Sequence, residues 1–280
     1  MTPETAAAPV MTVIEPPGRV SGAAWREVWA FRELLYFLVW RDLKVRYKQT
    51  VLGAAWAVIQ PLATMVIFSL FFGRLAGMPS DGIPYPIFSY AGLVPWTYFA
   101  TGIAGGAASL VGSQSLISKV YFPRLLVPLA SVVTPIVDAG IALAVLLALM
   151  AWYGVVPGPA LVLLPGFALL GLVAAAAVSL WLAALNVEYR DVRYVMPFLV
   201  QVWLFLTPVA YPTSLVPAAW RWVYGLNPMV TVVEGFRWTL VGTPAPAPAM
   251  VAASLVMVAA LFWTGLGHFR RTERVFADVI

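Results

Sequence analysis

The chain has 280 residues, 62% hydrophobic and 10% charged, with a mean hydropathy of +0.88, where a soluble domain carries about 25% charged residues. That balance excludes an ordinary soluble fold and makes lipid the solvent. The net charge of +5 sits in short clusters between apolar runs and so marks topology instead of a nucleic-acid face, while the absence of cysteine excludes disulfides, thiolate metal sites and cysteine nucleophiles.

Residues 1–22 are rich in Ala, Pro and Thr and lack the basic-then-apolar pattern of a signal peptide. They read as a disordered cytoplasmic tail. From 23 to 50, Trp25, Trp29, Phe31, Tyr36, Phe37 and Trp40 alternate with charged residues, and the longest unbroken apolar run, 34–40, is too short to span. The pattern predicts an amphipathic helix lying in the cytoplasmic interface, aromatics at headgroup depth and basic residues towards anionic lipid.

A hydrocarbon core about 30 Å thick takes roughly 20 apolar residues in helix. The predicted spans are 51–73, 87–111, 125–152, 161–185, 194–211 and 248–267, so the fold class is an all-α integral membrane protein with a transmembrane domain over 51–267. Gly102, Gly105 and Gly106 in the second span predict close helix contact. Asp138 stands in the middle of the third, the one acidic residue well inside a span, and an intramembrane acid points to function.

Residues 228–241, PMVTVVEGFRWTLV, are short and carry Glu234 and Arg237 near their centre. They are expected to form part of an external re-entrant helix pair between spans five and six, broken at Pro212, Pro217 and Pro228. Glu234 and Arg237 are three apart and share a helix face. They are the expected residues of an external gate, with Arg237→Ala lowering transport while leaving insertion and dimer yield near normal.

Residues 268–280 form the expected cytoplasmic C-terminal tail. His268, the only histidine, reads as a membrane-edge residue, so no metal site is expected. All but Arg74, Arg221 and Arg237 of the 17 Lys and Arg fall in the N-terminal segment, the loops after spans two and four, and the C-terminus. By the positive-inside rule both termini face the cytoplasm.

The chain has no G-x-x-x-x-G-K-[ST] phosphate loop and no loop long enough for a nucleotide-binding domain. Nor does it carry the clustered acids or histidines of a catalytic site. Four ordered segments, RYKQTVLGAAWAVIQPL, LISKVYFPRLLVPLA, LNVEYRDVRYVMPFLVQ and LNPMVTVVEGFRW, resemble the permease subunits of type-2 ABC exporters, in particular the polysaccharide exporters for O-antigen, teichoic acid and capsule.

The resemblance implies a homodimer in the bacterial inner membrane, docked on two copies of a separate ATPase subunit that binds ATP and Mg; this chain itself would hold no cofactor. It implies a coupling helix over about 113–124, with Lys119, Tyr121, Phe122, Pro123 and Arg124 meeting the ATPase. The substrate would be a polysaccharide on a polyprenyl diphosphate, most readily O-antigen. Trp56, Trp96, Tyr98, Phe99, Trp203 and Phe205 are then candidate channel residues, and Arg41, Lys44, Arg46 and Lys48 candidate contacts for the lipid diphosphate. A same-fold permease for a drug or small lipid, and a membrane enzyme acting on polyprenyl-linked sugars, are the alternatives.

Overall fold

The computed structural model describes residues 28–48, 53–189, 191–273 and 276. The expected tail 1–22, with Trp25, lies outside them. Among the described residues all regular structure is helical.

Helix α1, Arg32–Lys48, buries Leu38 and partly buries Leu34, Leu35 and Val39, whereas Tyr36, Phe37 and Trp40 stay exposed on its other side. Tyr36 stacks on Trp40 with ring centroids 6.5 Å apart, and Lys44 lies 5.3 Å over the same indole. The amphipathic pattern therefore becomes a helix with one face on the bundle and an aromatic face turned away from it.

Helix α2, Gly53–Phe68, contains Pro61 and continues into a π-helical stretch, Ser69–Leu75. Helix α3 is Tyr85–Gly112, and a single turn, α4, covers Gln114–Ile117. Helices α5, Leu126–Val133, and α6, Ile136–Trp152, form one interrupted rod. The break falls at Pro135, which has no N–H to continue the ladder. A 3-10 turn, Pro159–Leu163, opens α7, Leu164–Glu188, and α8 follows as Val192–Phe205. After two further 3-10 turns come α9, Arg221–Tyr224, α10, Pro228–Val241, and α11, Pro248–Thr272.

Four of these helical stretches are long and apolar enough to cross a membrane: Ala55–Leu75, Leu126–Trp152, Pro159–Glu188 and Pro248–Thr272. Two expected spans differ from them. Tyr85–Gly112 is long enough but less apolar, because it carries Gly, Ser, Thr and Tyr residues along its length; most of its first half is buried. Val192–Phe205 has 14 residues, which at 1.5 Å each reach about 21 Å, and the rest of the expected span, to Tyr211, runs through turns. The last helix also continues past 267 to Thr272, so the expected tail begins inside it.

Close packing of α3 on α7 organises the bundle. A Cβ on Gly106 would lie 2.4 Å from Ser179 Oγ, so only glycine admits this approach. Ser179 Oγ donates to Gly102 O at 3.3 Å, and Asn186 Nδ2 donates to Ala107 O at 2.8 Å. Two apolar clusters result. One joins α2, α3, α6, α7 and α10 through residues such as Phe99, Leu146 and Val233. The other gathers Leu38, Leu110, Phe122, Leu180, Phe269 and Phe276 at the end where α1, the loop 113–125 and the end of α11 meet.

Candidate functional site

The segment between α8 and α11 is held by polar groups that the break in α8 itself requires. Where the chain leaves the helix at 206–211, its carbonyls lose their partners and must find donors elsewhere. Arg237, fully buried on α10, supplies them: Nη1 donates to Pro208 O at 2.5 Å and Nη2 to Val209 O at 2.6 Å. Its Nε donates to Phe88 O at 3.1 Å, and its guanidinium lies 3.6 Å over the Phe88 ring. Tyr85 OH donates to the next carbonyl, Ala210 O, at 2.7 Å.

The predicted pair is formed, with Arg237 Nη1 3.2 Å from Glu234 Oε1. Thr213 Oγ1 donates to the other Glu234 oxygen at 2.8 Å. At Gly92 a Cβ would come 2.7 Å from Arg237 Nη2, so this glycine leaves the guanidinium its room. Asn227 caps α10 through Oδ1, which accepts from Met229 N–H, and the same oxygen accepts from Trp203 Nε1 at 3.0 Å. Gly242, at φ +79°, ends the helix by returning its N–H to Arg237 O. Burial changes what is expected of this charge pair: Arg237 holds acceptors from three segments of chain, so its removal is expected to cost folding as well as transport.

A cavity of about 560 Å³ lies between α1, α2, α3, α6 and α8. Of the six candidate aromatics, Trp56, Trp96 and Tyr98 line it. Phe99 does not, since it is fully buried and packs edge-on to Trp203 with centroids 5.0 Å apart. Trp203 stands behind the wall with its indole N–H committed to Asn227, and Phe205 is exposed at the end of α8. Alternating aromatic residues along a helix look alike in sequence, and only the packing tells wall from core. Tyr98 also lines a second, apolar cavity of about 410 Å³ between α3, α6, α7 and α10.

Of the four candidate basic residues, only Arg46 reaches the first cavity. Arg41 pairs with its neighbour Asp42 at 2.9 Å, Lys44 lies on Trp40, and Lys48 is exposed. Arg46 Nη1 instead meets Asp138 Oδ2, while Tyr47 OH donates to Asp138 Oδ1. Asp138 is thus no isolated acid. It stands in the first turn of α6, just past the Pro135 break, and receives both partners from the end of α1. Tyr47 was hidden within a stretch that reads only as basic.

The loop 113–125 is helical for the single turn Gln114–Ile117, shorter than the expected coupling helix. Beyond it, Lys119 and Tyr121 are exposed, whereas Phe122 and Pro123 are buried and anchor the loop. Arg124 is tied to the C-terminal segment, its N–H reaching Glu273 Oε1 at 3.2 Å and its guanidinium reaching Glu273 O. The result is a small protruding knob on a rigid base. Glu273 gave no sign of this contact in the sequence, lying 149 residues away. His268 stacks on Trp181 with centroids 4.6 Å apart.

The profile of the ABC-2 type transporter family matches residues 33–241. The chain is similar to the O-antigen export system permease protein RfbA of Myxococcus xanthus, with 33% identity covering 91% of this chain and 98% of the relative. A protein of the same description from Klebsiella pneumoniae is 28% identical, covering 73% and 79%. The polysialic acid transport protein KpsM of Escherichia coli is 25% identical, covering 69% and 76%.

Proposed function

Because the chain belongs to the ABC-2 type transporter family, we propose that it is the permease subunit of a polysaccharide exporter, most readily for O-antigen on a polyprenyl diphosphate. It is a transport subunit without an ATPase site of its own. The similarity to an O-antigen export permease over almost the full length of both chains carries this reading.

In this proposal two copies form the membrane part in the bacterial inner membrane, each crossing six times with both termini cytoplasmic. The two crossings additional to the four long apolar helices are Tyr85–Gly112 and the segment begun by Val192–Phe205. Two ATPase subunits dock on the knob at 113–125, where Lys119 and Tyr121 offer a charge and an aromatic grip, while Phe122, Pro123 and Arg124 pass the push to the bundle. On the other face, the segment around α10 is the external gate. Glu234 and Arg237 then act as the pin that makes this gate one rigid piece. Trp56, Trp96 and Tyr98 offer flat rings on which sugar faces slide without being trapped.

The purified chain alone is expected to hydrolyse no ATP above background, and turnover is expected only after adding the ATPase subunit. Robust hydrolysis by the single chain overturns the division of labour. For the export itself, deletion of the gene in its host should remove surface polysaccharide and leave the lipid-linked precursor inside the cell, with recovery on re-expression. A deletion strain with unchanged surface glycan overturns the export reading.

Topology is testable because no native cysteine needs removal. Ala76 and Ser118 are both exposed on the structure. A thiol at Ala76 should react with an impermeant reagent in intact cells and one at Ser118 only after lysis; the opposite pattern reverses the orientation.

A further inference from the structure

We propose that Arg46, Tyr47 and Asp138 form an anion-exchange site at the 560 Å³ cavity, where the phosphate or diphosphate headgroup of a lipid displaces the Asp138 carboxylate from Arg46 and Tyr47. The site deepens the export reading and rests on it for the direction of transport.

Three observations meet here. Among the described residues, Arg46 and Asp138 are the only formally charged ones lining the cavity, and they face each other. Tyr47 donates to the same carboxylate, and burial together with its bond to Asp138 pushes its phenol up to about 12, so it remains a proton donor at neutral pH. The remaining wall is largely apolar, with Trp56, Pro61, Leu93 and Trp96 among its residues. A guanidinium beside a phenolic donor is a fork for phosphate oxygens. Apolar walls between membrane helices suit a ligand that arrives from the lipid phase.

The role of Asp138 follows from electrostatics. The Arg46 and Asp138 side chains keep 37% and 25% of their surface exposed, so their pairing is worth little in water-accessible surroundings and yields to a stronger anion. A phosphate ester carries more negative charge and more acceptor oxygens than a carboxylate, and takes both donors when it arrives. The displaced Asp138 then remains close to the headgroup and repels it. Return of the carboxylate to Arg46 drives release, so the same group that guards the site limits how tightly substrate is held. A small free anion gains little here, because it surrenders full hydration and brings no apolar tail to bury.

The test uses the full-length protein in nanodiscs of neutral lipid, with geranylgeranyl diphosphate as the probe and inorganic pyrophosphate and geranylgeraniol as controls. Asp138→Asn should bind the diphosphate lipid about tenfold more tightly than wild type, yet export glycan more slowly when assembled with the ATPase. Arg46→Gln should lose the binding. Tyr47→Phe, which removes one hydroxyl from a partly buried ring, should weaken it several-fold while leaving the unfolding midpoint unchanged, and it keeps the test open if Asp138→Asn folds poorly. Unchanged or weaker binding by a folded Asp138→Asn, or wild-type affinity in Tyr47→Phe, overturns the exchange site and leaves a structural ion pair. Pyrophosphate competing as well as the lipid overturns the lipid headgroup, and equal binding of geranylgeraniol overturns the anion site. A wild-type protein that supports export but binds no geranylgeranyl diphosphate sinks this site alone; one that binds it but never supports export sinks the functional reading instead.

Discussion

Arg237→Ala is expected to destabilise the protein by about 3–5 kcal/mol, the range for stripping one partner from a buried ion pair. The loss has two parts. Among the described residues, Glu234, itself buried, would keep only the Thr213 hydroxyl as a side-chain donor, and the carbonyls of Phe88, Pro208 and Val209 would lose the Arg237 donors that now reach them. A sharp fall in folded, detergent-stable protein is the readout, followed by thermal unfolding of whatever remains. Exchanging the charges, with Arg at 234 and Glu at 237, should not rescue it, because Glu at 237 places acceptors where three carbonyls need N–H groups. Arg237→Lys should recover only part, since one ammonium cannot reproduce the planar fork. Normal yield and unfolding of Arg237→Ala would mean that water or neighbouring donors enter the break, and that the pinning role is misassigned.

How much of this was legible beforehand depended on the range of the interaction. Apolar runs and their Pro breaks are local, so the positions of the long helices and the irregular stretch before α10 could be read from spacing alone. The Glu234–Arg237 pair was equally local, at i and i+3. Its surroundings were not. Phe88 lies 149 residues from Arg237 in the chain, and no pattern around either residue announces that the carbonyls of 208 and 209 in the helix break will be met by α10. Asp138 failed in the same way: its partners Arg46 and Tyr47 are about 90 residues earlier, so the acid read as solitary. The aromatics were overread for a related reason, since Phe99 and Trp96 look equivalent in sequence while only Trp96 reaches the cavity wall.

The glycines of α3 give the second large effect, and they divide a motif that reads as one. Gly102 and Gly106 are four apart and both face α7, yet a Cβ at Gly102 would meet Ala175 Cβ at 3.7 Å, an ordinary contact. At Gly106 it would fall 2.4 Å from Ser179 Oγ and 2.5 Å from Ser179 Cβ, with the Ser179 backbone 3.4 Å away. Rotating the serine hydroxyl cannot relieve a clash with its own Cβ, so the helices themselves must separate. Gly106→Ala is therefore expected to cost about 1–3 kcal/mol by overpacking, seen as a lower unfolding midpoint in detergent, whereas Gly102→Ala should be close to neutral. Separation would also stretch the Asn186–Ala107 bond, now 2.8 Å, which joins the same two helices. The decisive comparison is Gly106→Ala combined with Ser179→Gly, which removes the obstructing atoms from the facing helix. If the contact is the cause, the double variant should be more stable than Gly106→Ala alone, a coupling that only neighbouring sites display. Simple addition of the two single effects would place the cost in α3 itself and remove the close approach of α3 and α7 as the reason for glycine at this position.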